Sequence, residues 1–274
     1  MANPLDPTRV LSLDEVAYVL DHIRLKTWPL REKRRTDRRA RLLGRGGNRG
    51  NWRRKINLTI FRLSCCCGLR RQEMGFIKMK DVLLDGPRPC LRIRKSIGKG
   101  KKRPRVVPLW WDKGTLEDLR KWYEFRKKIK DAGEVVICPE CKGSGLGIDE
   151  INLRSKCLVC KGEGKARTAG GPCGPESYFL CGLDLRNIGG KVTGARAAER
   201  WRSAIACLGP ERVKQVSIHA GRHTFASLSL QAGHSLAEVR DALGHCSIAI
   251  TSVYLHSFIR DDLPDVFAKP VEIG

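Results

Sequence analysis

The sequence predicts a mainly α fold with a small antiparallel β-sheet, an α+β class, interrupted by one cysteine-rich insertion. Three observations lead there. Apolar residues recur at helical spacing in several separate windows, and short apolar runs flank turn residues in one region only. Between positions 131 and 175 the composition turns to glycine, cysteine and lysine with little helical pattern.

Taken in order, Ser12-Leu13-Asp14-Glu15 is a capping box, in which a serine and a glutamate three residues on satisfy two orphan N–H groups. Val16, Val19, Leu20 and Ile23 then form an apolar stripe, which predicts a helix over 13–25 and assigns residues 1–30 to the N-terminal helix of the main domain. Residues 31–55 hold twelve basic and two acidic residues without a helical apolar period. Repulsion within such a run opposes packing, so it reads as a basic arm suited to nucleic acid, with Arg34, Arg35, Arg38, Arg39 and Arg41 at its centre. A solvated surface loop is the competing reading.

Residues 56–67 are apolar and predict a buried helix running into Gly68. Residues 81–84 and 90–95 read as strands around the turn Asp85-Gly86-Pro87, and 103–109 as a third strand after Gly98-Lys99-Gly100. An amphipathic helix over 115–130 completes the first part of the domain, 56–130, which the insertion 131–175 separates from a second part, 176–258. There, helical signals return at 193–207 and 223–232. A second capping box, Ser235 to Glu238, opens a helix ending near Gly244, and a last helix from about Ser247 carries Tyr254. Residues 259–274 form a short tail.

Charge narrows the partner. Lysine plus arginine total 53 against 29 acidic residues, a formal net charge of +24, which calls for a polyanion. Nucleic acid fits better than a membrane, because the apolar stretch Leu58–Leu69 is short and broken by Arg62. The N-terminus has no apolar h-region, so the expectation is a cytoplasmic, nucleoid-associated protein whose twelve cysteines are reduced thiols and metal ligands.

Cys138, Cys141, Cys157 and Cys160 make a CxxC–x15–CxxC pattern, the spacing of a four-thiolate structural zinc site, against the plainer reading of four unligated thiols. Each pair leads into a Gly-x-Gly step, and these two CxxCxGxG repeats look like the zinc centre of J-domain chaperones, although no His-Pro-Asp signature accompanies them. Cys65, Cys66 and Cys67 read as small core residues. Cys173 and Cys181 either extend the zinc site or compete with it.

Four further patches belong together: Gly68-Leu69-Arg70-Arg71-Gln72-Glu73; Gly98-Lys99-Gly100 before Val106–Leu109; His219-Ala220-Gly221-Arg222-His223; and Leu243-Gly244-His245 with Tyr254 nine residues after the histidine. In order and spacing they resemble the tyrosine recombinase (phage integrase) family, over roughly residues 10–130 and 176–258. The resemblance implies that family's catalytic-domain fold and a reaction that cuts and rejoins double-stranded DNA through a 3′-phosphotyrosyl link. It also implies a homotetramer on synapsed DNA and no cofactor for the chemistry. Carried over, Arg70 and Arg222 hold the scissile phosphate, Lys99 protonates the leaving 5′-oxygen, His219 moves the phenolic proton, His245 supports the transition state and Tyr254 is the nucleophile. Lys101, Lys102 and Arg103 join the basic arm as DNA contacts.

Those residue types suit the task. Charge grows on the phosphate in the transition state, and planar guanidinium forks give it two parallel hydrogen bonds. Each residue also has a plainer reading: Arg70 a surface cation, His219 and His245 structural histidines, Tyr254 a packing anchor, and Lys101 a substitute for Lys99. The chain departs from the family in Gly221, where leucine is common, which predicts a loosened helix start. The expectation is also that the N-terminal DNA-clamping helical domain usual in the family is absent. Alternative functions are a nicking and resealing enzyme of the type IB topoisomerase kind, an inactive DNA-binding accessory protein, and a zinc-dependent RNA- or protein-binding protein.

Overall fold

The computed structural model describes residues 7–25, 49–94, 104–131, 135–148, 154–167, 170–182 and 188–254. Arg34, Arg35, Arg38, Arg39 and Arg41 of the basic arm, together with Lys99, Lys101, Lys102 and Arg103 of the hairpin loop, lie outside the described residues.

Helix α1 (Leu13–Leu25) opens on the predicted capping box: Ser12 Oγ accepts from Glu15 N–H at 3.1 Å, and Glu15 Oε2 accepts from Ser12 N–H at 2.9 Å. Helix α2 spans Arg49–Phe61 and begins before position 56, so the end of the basic segment is helical. Trp52 and Ile56 are buried while Arg53 is exposed; two apolar anchors hold the turn to the core and its charge faces water. The chain continues through a π-helical turn, Arg62–Cys66, a distortion frequent at functional sites. Buried Arg62 gives Nε to Asp118 Oδ2 at 2.9 Å and Nη1 to Asp112 Oδ2 at 3.1 Å, which binds this turn to α4 (Lys113–Lys127).

Helix α3 (Arg71–Met74) precedes a three-stranded antiparallel sheet of β1 (Val82–Leu83), β2 (Cys90–Ile93) and β3 (Arg105–Pro108), paired in the order β1-β2-β3. Ile93 pairs with Arg105 at the end of the hairpin next to the segment that connects its two strands. The second part of the domain adds α5 (Gly194–Ala204), α6 (Pro210–Gln215), α7 (Ile218–Gln231), α8 (Leu236–Leu243) and α9 (Ile248–Ser252). Phe61 stacks on Trp201 in the main core at 5.4 Å between ring centroids. A smaller core joins Phe225, Ala226, Val239, Ala242, Leu243 and Tyr254. No helix among the described residues is long and apolar enough to cross a membrane.

Three expectations change. Helix α7 starts at Ile218 rather than 223, so the whole His219–His223 motif is helical. Helix α9 stops at Ser252, and Tyr254 lies in the turn beyond it, with its N–H on Thr251 O at 3.1 Å. Gly221 does not loosen the start of α7. A Cβ there would lie 2.2 Å from Ser64 Oγ and 2.9 Å from Trp201, and Ser64 Oγ donates to Ile218 O at 2.9 Å. Glycine is what lets α7 press against the π-helical turn.

The insertion carries no helix among its described residues. Strands β4 (Val135–Ile137) and β7 (Lys165–Arg167) pair at its base, and β5 (Leu146–Ile148) pairs with β6 (Arg154–Lys156). Its two Cys-x-x-Cys-Lys-Gly-x-Gly repeats take the same turn twice: φ is +49°, +93° and +72° at Lys142, Gly143 and Gly145, and +55°, +90° and +68° at Lys161, Gly162 and Gly164. The halves interlock, because a Cβ on Gly145 would meet Gly162 O at 2.5 Å and one on Gly164 would meet Gly143 O at 2.4 Å. That reciprocal approach explains the Gly-x-Gly after each cysteine pair.

Candidate active site

Arg222 organises the site. It projects from the first turns of α7, is 6% exposed, and donates Nη1–H to Gly68 O and Nη2–H to Leu243 O, both at 2.6 Å. Gly68 stands two residues before Arg70, and Leu243 two residues before His245. One guanidinium therefore fastens both loops that carry neighbouring candidates. The Leu243 carbonyl lies at the C-terminus of α8, where the helix dipole favours a cation. Burial, followed by the positive charges of Arg70 and Arg105, pulls Arg222 below the ordinary arginine range, and Glu73 opposes them.

Arg70 immediately precedes α3. Its N–H donates to Glu73 Oε2 at 2.8 Å and its Nη1–H to Glu73 Oε1 at 2.9 Å, which leaves the side chain partly exposed. Glu73 also receives Arg105, whose Nη1 and Nη2 reach Oε1 and Oε2 at 3.0 and 2.7 Å while its Nε donates to Ala242 O at 2.9 Å. Burial works against ionisation of Glu73, but the Arg105 bonds and charge and the Arg70 N–H outweigh it and hold the carboxyl at about 2. Two arginines thus hold one carboxylate, and with Arg222 the site is net positive.

The histidines complete the ring. His245 follows the end of α8, with Nδ1 2.9 Å from Thr251 Oγ1. Burial, then the charges of Arg222, Arg70 and Arg105, lower its pKa to about 4, so it is neutral at pH 7. His219 sits exposed in the first turn of α7; desolvation, then Arg71, Arg222 and Arg70, lower its pKa. Tyr254 packs its ring into the small core with 5% exposure, and its hydroxyl lies 2.6 Å from His223 Nδ1. Burial raises the phenol pKa while the Arg222 charge draws it down.

Arg70, His219, Arg222, His245 and Tyr254 therefore belong to one connected neighbourhood, joined through Arg222. Lys99 lies outside the described residues, in the segment that joins β2 to β3; the Arg105 side chain at the start of β3 reaches Glu73. Glu73, Arg105, His223 and Thr251 were given no role by sequence reasoning. Two of these had visible signals: Glu73 stands three residues after Arg70, and His223 directly follows Arg222. Nothing marked Arg105 among its basic neighbours, because only the strand register turns it inward.

The cysteine set forms a second site. Cys138, Cys141, Cys157 and Cys160 bring their Sγ atoms within 4.8 Å of one another, close enough to hold one metal ion. Burial opposes ionisation of Cys141, but the N–H of Gly145 and the Cys160 thiol outweigh it and bring Cys141 to about 6. That suits a thiolate ligand. Cys173 and Cys181 do not join this set: Cys181 is buried in the main core and Cys173 packs against it. Cys65 and Cys67 are likewise buried in the main core, with Cys66 packed against it.

Known proteins resemble this chain in sequence and in fold. Residues 189–260 match the model of the phage integrase family. The chain is 26% identical over 203 residues to tyrosine recombinase XerC of Leptospira interrogans, covering 74% of this chain and 46% of that protein. It is 31% identical over 139 residues to XerC of Pelobacter propionicus, covering 46% of this chain and 45% of that one. The chain thus spans less than half the length of these curated relatives. Among solved structures, the XerH site-specific recombinase in a post-cleavage complex with its palindromic difH substrate superposes with a TM-score of 0.52. Identity is 20%, over 92% of this chain and 50% of that one. The XerA recombinase gives a TM-score of 0.50 at 16% identity, over 95% of this chain and 63% of that one. The fold is that of the tyrosine recombinases. The match over residues 189–260 and the Xer relatives support a phage integrase (tyrosine recombinase) catalytic domain.

Proposed function

We propose that this protein is a site-specific DNA recombinase or integrase that cleaves and rejoins strands of double-stranded DNA with Tyr254 as nucleophile. The carrying observation is that Arg222 fastens, through two backbone carbonyls, the loops of Arg70 and His245, while its charge acts on Tyr254. Arg222 has five N–H donors and spends two on these carbonyls, so others remain for phosphate oxygens. With Arg70 beside it, two guanidiniums can neutralise the charge that grows on a scissile phosphate.

The reaction follows. The phenolic proton passes to a neutral histidine, for which His219 is the candidate that the family resemblance supplies, and the oxygen of Tyr254 attacks phosphorus. The bond from phosphorus to the 5′-oxygen breaks, with Lys99 giving the leaving oxygen its proton. His245 hydrogen-bonds the phosphate. The 3′-phosphotyrosyl link retains the energy of the broken bond, and attack by a 5′-hydroxyl reverses the sequence.

Zinc suits the four cysteines: four thiolates close a tetrahedral sphere, so the ion would brace the insertion and leave no position for substrate. The insertion and the basic arm would add DNA contacts, with Lys101, Lys102 and Arg103 nearer the hairpin. Deleting either should weaken DNA binding and flatten its salt dependence. Assembly is proposed as a homotetramer on two paired duplexes.

A suicide substrate carrying a nick tests the function. Wild type should form a covalent protein–DNA band that Tyr254→Phe does not, at similar DNA affinity; an adduct with the phenylalanine variant would mean another nucleophile. Strand exchange between two marked duplexes separates recombination from nicking and resealing alone.

A further inference from the structure

We propose that His223 is a further catalytic residue: its Nδ1 accepts the hydrogen bond of the Tyr254 hydroxyl and takes the phenolic proton as Tyr254 attacks phosphorus. The proposal rests on the strand-cleavage reading above and replaces His219 in that one role.

The geometry is direct. Among the described residues, the hydrogen-bond partner of the Tyr254 hydroxyl is His223 Nδ1, at 2.6 Å, within the reach required of a general base. His219 stands one helical turn earlier on α7, exposed, and the charges that act on it are Arg71, Arg222 and Arg70. That is the side of the site where the phosphate would bind, which gives His219 a place beside the phosphate oxygens.

The surroundings of His223 suit a base that must also return its proton. It is half-buried, and the groups facing it are Arg222 and His219 on its own helix, Arg9 from the turn before α1, and Tyr254. Among the described residues, no carboxylate stands with them. The ring is therefore neutral before reaction, and Nδ1 is free to accept when the ring's own proton is on Nε2. Once it has gained the phenolic proton, the nearby positive charges favour giving it back.

Every proton and bond is accounted for in that step. The O–H bond of Tyr254 breaks and an N–H bond forms at His223. The phenolic oxygen bonds phosphorus, the bond to the 5′-oxygen breaks, and Lys99 protonates that oxygen. In rejoining, the 5′-hydroxyl attacks, its proton returns to Lys99, and His223 restores the proton to Tyr254.

The test compares wild type with His223→Gln and His223→Ala on the nicked suicide substrate, in single turnover, across pH. Glutamine keeps a polar partner for the hydroxyl and cannot take its proton. Both variants should bind DNA as wild type does and form adduct about 100-fold more slowly. Both should lose the acid limb of the pH–rate profile, and added imidazole should partly restore His223→Ala. A His223→Gln protein that reacts at the wild-type rate, or keeps the acid limb, overturns the role of His223 alone. Wild type that binds DNA without forming adduct overturns the cleavage reading and this role with it. Independently of cleavage, the tyrosine ring-carbon NMR signal that Tyr254→Phe removes should shift in His223→Gln without DNA. An unmoved signal means the contact is not made in solution.

Discussion

Arg105 and Glu73 form a two-point ion pair, Nη1 to Oε1 at 3.0 Å and Nη2 to Oε2 at 2.7 Å, with both side chains almost wholly buried. The pair ties the start of β3 to the helix that follows Arg70, and Arg105 adds a third tether to the end of α8 through Ala242 O. The start of β3, the helix after Arg70 and the end of α8 are thus bound to one another.

Glu73→Gln should lower the unfolding free energy by about 3 kcal/mol, because Arg105 is left buried without a countercharge. The pH dependence has a definite sign. The folded-state pKa of Glu73, about 2, lies below the ordinary value of 4.5, so its contribution is fully present above 4.5 and is lost as pH falls toward 2. Urea unfolding across that window should show this part of the acid slope in wild type and not in the variant.

Gly221→Ala should destabilise by about 1–3 kcal/mol, since the added methyl lands on Ser64. Pairing it with Ser64→Gly should give back part of that loss. Thermal unfolding of the two single variants and the double variant measures the coupling, and strict additivity would mean that α7 simply moves away.

His245 should titrate near pH 4 instead of 6.5 in the free protein, read from its ring-proton NMR signal. Arg70→Gln removes one of the charges that depress it and should raise the midpoint. Because the folded value is lowered, His245 costs stability as pH falls from about 6.5 toward 4. A bound phosphate should reverse the shift, so DNA binding at pH 5–6 should take up protons.

Purified protein should carry about one zinc per chain, and Cys157→Ser should lose it. Chelation should make Cys138, Cys141, Cys157 and Cys160 reactive to thiol reagents while Cys67 and Cys181, with no exposed surface, stay protected. Uniform reactivity of all these thiols would show that the insertion and the main core open together.

Much of this was legible beforehand where one local rule acted alone. The capping boxes at Ser12 and Ser235 both form, because they depend on four consecutive residues. The three strands of the sheet lie within the short apolar runs that flank the turn residues. Features set by distant packing were not legible. Helix α2 starts early because Trp52 finds the core, which its basic neighbours conceal. Helix α6 follows only from Pro210 at the first helical position, a weak signal in a short segment. Gly221 looked like a defect until Ser64, 157 positions earlier in the chain, turned out to occupy the space a side chain would need.

The pairing of β4 with β7 sets Val135 beside Arg167, and Asp131 bridges Gly171 just below them. The polypeptide therefore leaves the main body and comes back through almost the same point. Such a stalk permits transplantation: replacing everything between Asp131 and Gly171 with a tight turn should yield a shorter protein with an intact core. The excised lobe, with its four cysteines, should be portable to another scaffold that offers two adjacent strand ends.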